Sequence, residues 1–296
     1  MQDASEQDIT ELFEGSVEGG HAHSRAAASL LERYCVGELA EPDASAAPHC
    51  SAGAEPRASG AGAAVIDESK PLLWQVGSLG PGYMDWVHSP SPGQPRFFLS
   101  AWAERATKVR WWVVPLIWLP VVAWSLARAL HHGLGNAAAA ALLVAGVVAW
   151  QLLEYLLHRF AFHTTPATPT AIFMHFLLHG CHHKYPMDVE RLVFPPLPAS
   201  WVAAAIYAAV RAALPPAPAA ALFAGIILGY VAYDCMHYLM HAGALGGPLR
   251  EAHMRHHYRD PGSGFGISSP LFDWALGTGP GGAPGGAGRA AALVRG

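Results

Sequence analysis

The chain has 296 residues, 52% hydrophobic and only 14% charged, and its mean hydropathy is positive. That balance excludes a disordered chain and makes a membrane protein the leading class. A net charge of −4 leaves no basic face for phosphates, so no nucleic-acid partner is expected. Seventeen histidines stand against 18 lysines plus arginines, and eleven of the histidines lie between His158 and His257. Clustering on that scale points to metal. The cysteines Cys35, Cys50, Cys181 and Cys235 form no CxxC pair, so they read as thiols in a reducing compartment.

In chain order, residues 1–39 are polar and amphipathic, with a helix-like stretch from Ser24 to Val36 too small to bury its own core. Residues 40–69 are rich in Ala, Ser, Gly and Pro and read as a disordered linker; 277–296 read as a low-complexity tail. No cleavable signal peptide is expected at the start of the chain. Between them, 70–276 carry four apolar segments. Trp111 to Ala127 and Asn136 to Leu153 are joined by a short link that suits an antiparallel hairpin. Leu192 to Val210 is interrupted by Pro195, Pro196 and Pro198, so its helix is expected near Ala199; Ala212 to Tyr233 is uncharged throughout. The expected fold is all-α: an integral membrane protein with four transmembrane helices in two hairpins and a cytosolic, helical, histidine-rich cap. Two buried hairpins of a soluble protein are the alternative, because each segment is near the lower limit for crossing roughly 30 Å of hydrocarbon.

Positive charge fixes the orientation. Arg96, Arg105, Lys108 and Arg110 precede the first segment, Arg159, Lys184 and Arg191 follow the second, and Arg250, Arg255 and Arg259 follow the fourth. Those sides, with both termini, are expected in the cytosol.

The histidines form four clusters: His158 and His163 (HRFAFH); His179, His182 and His183 (HGCHH); His237 and His241 (HYLMH); and His253, His256 and His257 (HMRHH). Two hairpins return the second and fourth segments to one face, so all ten imidazoles can converge on one cap. A histidine set too large for one tetrahedral ion implies two metals. Tyr230, Asp234, His237 and His241 share a helical stripe, and Asp234 is placed to accept the second ring N–H of a ligating histidine. Glu154, one turn before His158, can do the same; the alternative is that both acids pair with Arg159 or Arg255. His175 reads as packing or outer support. Cys181 is a soft ligand or a spacer, and His49, His88, His131 and His132 receive no role.

These strings, with RLVFPP, GYVAYDCMHYLMH and HMRHHYRDPGSGFGISSPLFDW, preceded by KPLLWQVGSLGPGYMDWVH and PRFF, closely resemble the fatty acid 2-hydroxylases from about Lys70 to Trp274. The resemblance implies a multi-pass enzyme of the endoplasmic reticulum that inserts one oxygen atom of O2 at carbon 2 of long and very long acyl chains, as fatty acid or ceramide, for sphingolipids. It implies that the ten histidines hold two metal ions, iron for the reaction, with zinc able to occupy the same imidazoles. Tyr233 and Asp234 are then expected beside the site, Asp234 orienting a ligand and Tyr233 positioning the acyl head. The amino terminus resembles the second half of a cytochrome b5-like domain, with His23 matching its second axial haem ligand. The loop that carries the first ligand is missing, so no haem is expected on this chain. Electrons are expected from a separate cytochrome b5 and its reductase. Two other readings stay open: a sterol or carotenoid oxidase with the same histidine boxes, and a non-enzymatic membrane metal-binding protein. The near absence of polar groups inside the first two segments does not support a transport path.

Overall fold

The computed structural model describes residues 66–279, all within one compact unit, Ser59–Gly296. The cytochrome b5-like stretch with His23, most of the 40–69 linker and the tail beyond 279 lie outside the described residues.

Every regular element among the described residues is helical. After a 3-10 turn, Val76–Gly82, come α1 (Tyr83–Val87), α2 (Ala101–Ala106), α3 (Val113–His131) and α4 (Asn136–Leu156), which continues as a π turn, Leu157–Phe162. Then follow α5 (Pro169–His175), a second π turn (Phe176–Gly180), α6 (Cys181–Lys184), α7 (Pro196–Ala213), α8 (Pro216–His241), α9 (Pro248–Tyr258) and α10 (Leu271–Leu276).

Three helices are long and apolar enough to cross a membrane: α3, α4 with its π turn, and α8. The fourth expected span, on α7, is not among them. The remaining segment, α7, is one residue shorter than α3, so length does not set it apart; Pro196, Pro198 and Arg211 make it less apolar. It starts at Pro196, three residues earlier than expected. Proline is at home in a first helical turn, where its missing N–H has no partner to lose.

The expected hairpins are not the packing units. Helix α8 runs against both α3 and α4, which meet each other little. Its most apolar stretch is 67% buried, against 22% for α3 and for α4. Small residues cause this choice. A Cβ on Gly225 would lie 2.1 Å from the Leu143 carbonyl oxygen, and one on Gly146 would lie 2.3 Å from that of Leu222. The α4 and α8 backbones therefore touch, and Trp150 closes over Gly229. Around this crossing Trp118, Trp150, Ile226, Ile227, Tyr230 and Val231 form the main core.

The segment before α3 folds over α5 and α6. Leu72, Leu73, Val76, Tyr83 and Phe97 pack against Ile172, Phe176 and Tyr185. Polar pins hold it down: Lys184 Nζ donates to the Ser89 carbonyl at 2.7 Å, and buried Arg191 pairs with Asp188 at 2.5 Å and also with Glu104. The Arg191 guanidinium lies 3.9 Å over the Phe97 ring.

Candidate metal centre

The four histidine clusters sit where α4 and α8 end and where α5–α6 and α9 cross them. Helical periodicity then sorts the rings. In an α-helix, residues five apart point about 140° away from each other, so His158 and His163 would diverge. The π turn prevents this: the His163 N–H donates to the His158 carbonyl at 3.1 Å, an i to i+5 bond that puts the two rings on one side. His179 and His183, four apart, share a face, while His182 points elsewhere. His253 and His257 likewise share a face, and His256 points elsewhere.

Two groups of five result. The first is His158, His163, His179, His183 and His256; the second is His182, His237, His241, His253 and His257. Each group thus takes one helix-end pair, one i, i+4 pair from an HxxHH string and the odd ring of the other HxxHH string. Within each group the candidate ligand atoms lie within 4.8 Å of one another. Only His163 is more than slightly exposed. The groups adjoin, with the His183 and His257 rings 4.5 Å apart.

The rings meet through Nε2. In the first group His158 lies 3.2 Å from His179 and from His163, His163 lies 3.1 Å from His183, and His256 lies 3.0 Å from His163. In the second, His237 and His182 are 2.8 Å apart, His241 and His253 2.8 Å, and His257 and His253 3.1 Å. Carbonyl oxygens fix several tautomers. The Nδ1–H of His158 donates to Phe265 at 2.6 Å, that of His256 to Ser263 at 2.7 Å, and that of His237 to Leu192 at 3.1 Å. A carbonyl only accepts, so Nδ1 carries the proton and Nε2 presents a lone pair. Burial lowers the pKa of His179, His182, His183, His253 and His257 well below the ordinary imidazole value, and that of His256 to about 3. These rings are neutral. Lone pairs facing one another at such distances repel unless a cation stands between them. Two nitrogens at right angles around one ion, each about 2.1 Å from it, are about 3.0 Å apart. The donor set fits a nitrogen-bound transition metal in each group.

The acids are placed differently from expectation. Among the described residues neither Asp234 nor Glu154 hydrogen-bonds to an imidazole, and neither pairs with Arg159 or Arg255. Asp234 accepts the Phe194 N–H at 3.2 and 3.3 Å, and Glu154 accepts the N–H groups of Ile267 and Ser268 at 2.6 and 2.8 Å. The helix geometry points each acid at the neighbouring loop while backbone carbonyls of that loop take the ring protons. Tyr233 stacks on His237, 5.9 Å between centroids and 2° from parallel.

His175 stays outside both groups, its Nδ1 bonded to the Tyr83 hydroxyl at 2.7 Å. Cys181 also stays outside, packed against Tyr83 and Phe176, its pKa pushed up to about 12 by burial. Sequence reasoning missed two residues. His88 lies parallel to His163, 6.1 Å away, and edge-on to His183 at 5.3 Å. Asp273 is buried beneath the 263–268 loop. His88 stands 70 residues before the first cluster, so no spacing marks it; Asp273 is the penultimate residue of the string HMRHHYRDPGSGFGISSPLFDW.

Known proteins are similar to this chain across the segment that carries these histidines. The fatty acid hydroxylase family model matches residues 143–278. A dihydroceramide fatty acyl 2-hydroxylase of Arabidopsis thaliana is 42% identical over 221 residues, covering 73% of this chain and 93% of the relative. The chain belongs to the fatty acid hydroxylase family. A fatty acid 2-hydroxylase of Rattus norvegicus is 40% identical to this hydroxylase over 305 residues, covering 90% of the chain and 81% of the relative. A solved structure described as full-length Scs7p, with only the hydroxylase domain visible, superposes with a TM-score of 0.69 at 39% identity, covering 74% of this chain and 87% of that one. The hydroxylase is thus an oxidoreductase with histidine clusters able to hold metal, built on apolar helices of membrane-spanning length.

Proposed function

We propose that the hydroxylase performs O2-dependent 2-hydroxylation of long and very long acyl chains, as fatty acids or as the N-acyl chain of ceramide, in sphingolipid synthesis. The ten histidines are the ligands of two metal ions, five to each. The observation that carries this reading is the convergence of neutral Nε2 lone pairs in two buried groups.

Iron is the metal proposed, because breaking a strong C–H bond requires a redox-active centre and zinc has no redox role. When bound, the metal pair supplies O2 activation. The chain's own residues do the rest. Carbonyls of Phe265, Ser263 and Leu192 hold ring protons so that Nε2 faces inward. Tyr233, stacked on His237, positions the acyl head, and Asp234 orients His237 through the Phe194 segment. The balance needs two electrons and two protons: one oxygen atom enters the carbon 2 C–H bond and the other leaves as water. A separate cytochrome b5 and its reductase supply the electrons. The bias of positive residues toward the histidine cap supports the cytosolic face of the endoplasmic reticulum membrane for it, and both termini lie on that side when α7 crosses as a fourth span.

Lipid mass spectrometry after expression in a host lacking its own hydroxylase tests the proposal. Wild type is expected to yield 2-hydroxyacyl sphingolipids and His182→Ala none. Absence of such products with folded, metal-loaded wild type overturns it.

A further inference from the structure

One buried carboxylate is left without a role. Asp273, on α10, is 2% exposed and pairs with no cation among the described residues. Its Oδ1 accepts the Phe265 N–H at 3.0 Å and the Thr278 hydroxyl at 2.7 Å, and its Oδ2 accepts the Gly266 N–H at 2.6 Å. The last bond matters because the Gly266 N–H and the Phe265 carbonyl belong to one peptide group. That carbonyl takes the Nδ1–H of His158 at 2.6 Å. A carboxylate, a single peptide plane and an imidazole are therefore in line. The anion polarises the peptide, and the polarised carbonyl pulls harder on the ring proton.

Metal-binding histidines commonly donate their second N–H to a carboxylate or carbonyl, which fixes the ring and raises its basicity. We propose that Asp273 is a remote positioning residue of the first metal site, acting on His158 through the 265–266 peptide. Glu154 completes the device from α4: by taking the next two amides, Ile267 and Ser268, and the Ser268 hydroxyl at 2.5 Å, it clamps the loop to the helix that carries His158. Four successive amides thus end on two buried carboxylates. Gly266 is required by the close fit, since a Cβ there would lie 2.2 Å from the Ser269 carbonyl oxygen and 2.9 Å from Asp273 Oδ2. The second site has the mechanical half only. Asp234 clamps the Phe194 amide, but that amide is not in the peptide whose Leu192 carbonyl holds His237.

The inference rests on the reading of two metal sites, so the experiment separates the two. Full-length protein in detergent is loaded anaerobically with ferrous ion, and affinity is read by competition with a chromophoric chelator, with elemental analysis and thermal melting alongside. Wild type holding two ions per chain is the prerequisite; fewer refutes the site reading itself. Asp273→Asn keeps the shape but turns an NH2 or a neutral oxygen toward the Gly266 N–H, and is expected to weaken one ion about 10- to 100-fold, leaving the other unchanged. Gly266→Ala, which displaces the same peptide without removing charge, is expected to weaken the same single ion. Asp234→Asn is expected to spare that ion and weaken the other. Wild-type affinity for both ions in folded Asp273→Asn, or an equal loss at both, overturns the proposal. If Asp273→Asn does not fold, Gly266→Ala with two wild-type affinities does so.

Discussion

The two five-histidine groups are built by the same exchange and supported unequally. Each receives a pair from the end of a long helix, an i, i+4 pair from an HxxHH string and one ring from the other HxxHH string. The first group then leans on one loop, whose carbonyls at Ser263 and Phe265 hold two of its rings. The second has one ring held in this way, His237 on Leu192, while the Nδ1 atoms of His182, His241, His253 and His257 are buried without a partner among the described residues, against that of His183 in the first. Ligand count is thus set by helical periodicity, whereas ligand orientation is set by loops, and these can differ between two otherwise matched sites.

The largest effects are expected from the crossing rings. His256→Ala removes a first-group ligand carried by α9, and His182→Ala a second-group ligand carried by α6. Each is expected to bring 2-hydroxylated product to background in lipid mass spectrometry and to cut bound metal from two ions to about one. Retained activity in either variant breaks the symmetry between the groups. Arg191 is next. It is buried, held by Asp188 and Glu104, and immediately precedes Leu192. Arg191→Ala leaves two carboxylates unpaired and is expected to cost about 3–5 kcal/mol in thermal unfolding, loosening the second group more than the first. A smaller loss, about 1–3 kcal/mol, is expected for Gly225→Ala. It pushes α8 off α4 and strains both groups together, so unequal metal loss there would contradict the packing account.

pH acts on the metal-free protein. Burial holds the cap imidazoles below their ordinary pKa, with His256 near 3. Above the ordinary value of about 6.5, folded and unfolded rings are both neutral and contribute nothing to pH dependence. Below it, unfolded rings take up protons that the folded ones refuse. The melting temperature of metal-free protein is therefore expected to fall as pH drops from about 7.5 to about 5.5. A rise would contradict burial of the neutral rings.

Much of the centre was legible. The four clusters, their convergence on one cap and the span carrying His237 follow from spacing and apolar runs, which are local. The π turn that brings His158 and His163 together was hidden, because the sequence gives no sign of the extra residue in that turn. Glu154 and Asp234 stood out as acids a turn from a histidine. Their partners, 113 and 40 residues away, depend on tertiary packing, and so does the place of His88. Helix pairing was misjudged because a short connection predicts adjacency, while Gly146 and Gly225 allow a closer approach between α4 and α8.

The central claim is that each group of five imidazoles binds one redox metal. Iron-edge X-ray absorption with elemental analysis on the purified, active protein tests it most directly. The account predicts two irons per chain in shells dominated by imidazole nitrogen. One iron per chain, or shells dominated by oxygen or sulfur donors, would contradict it.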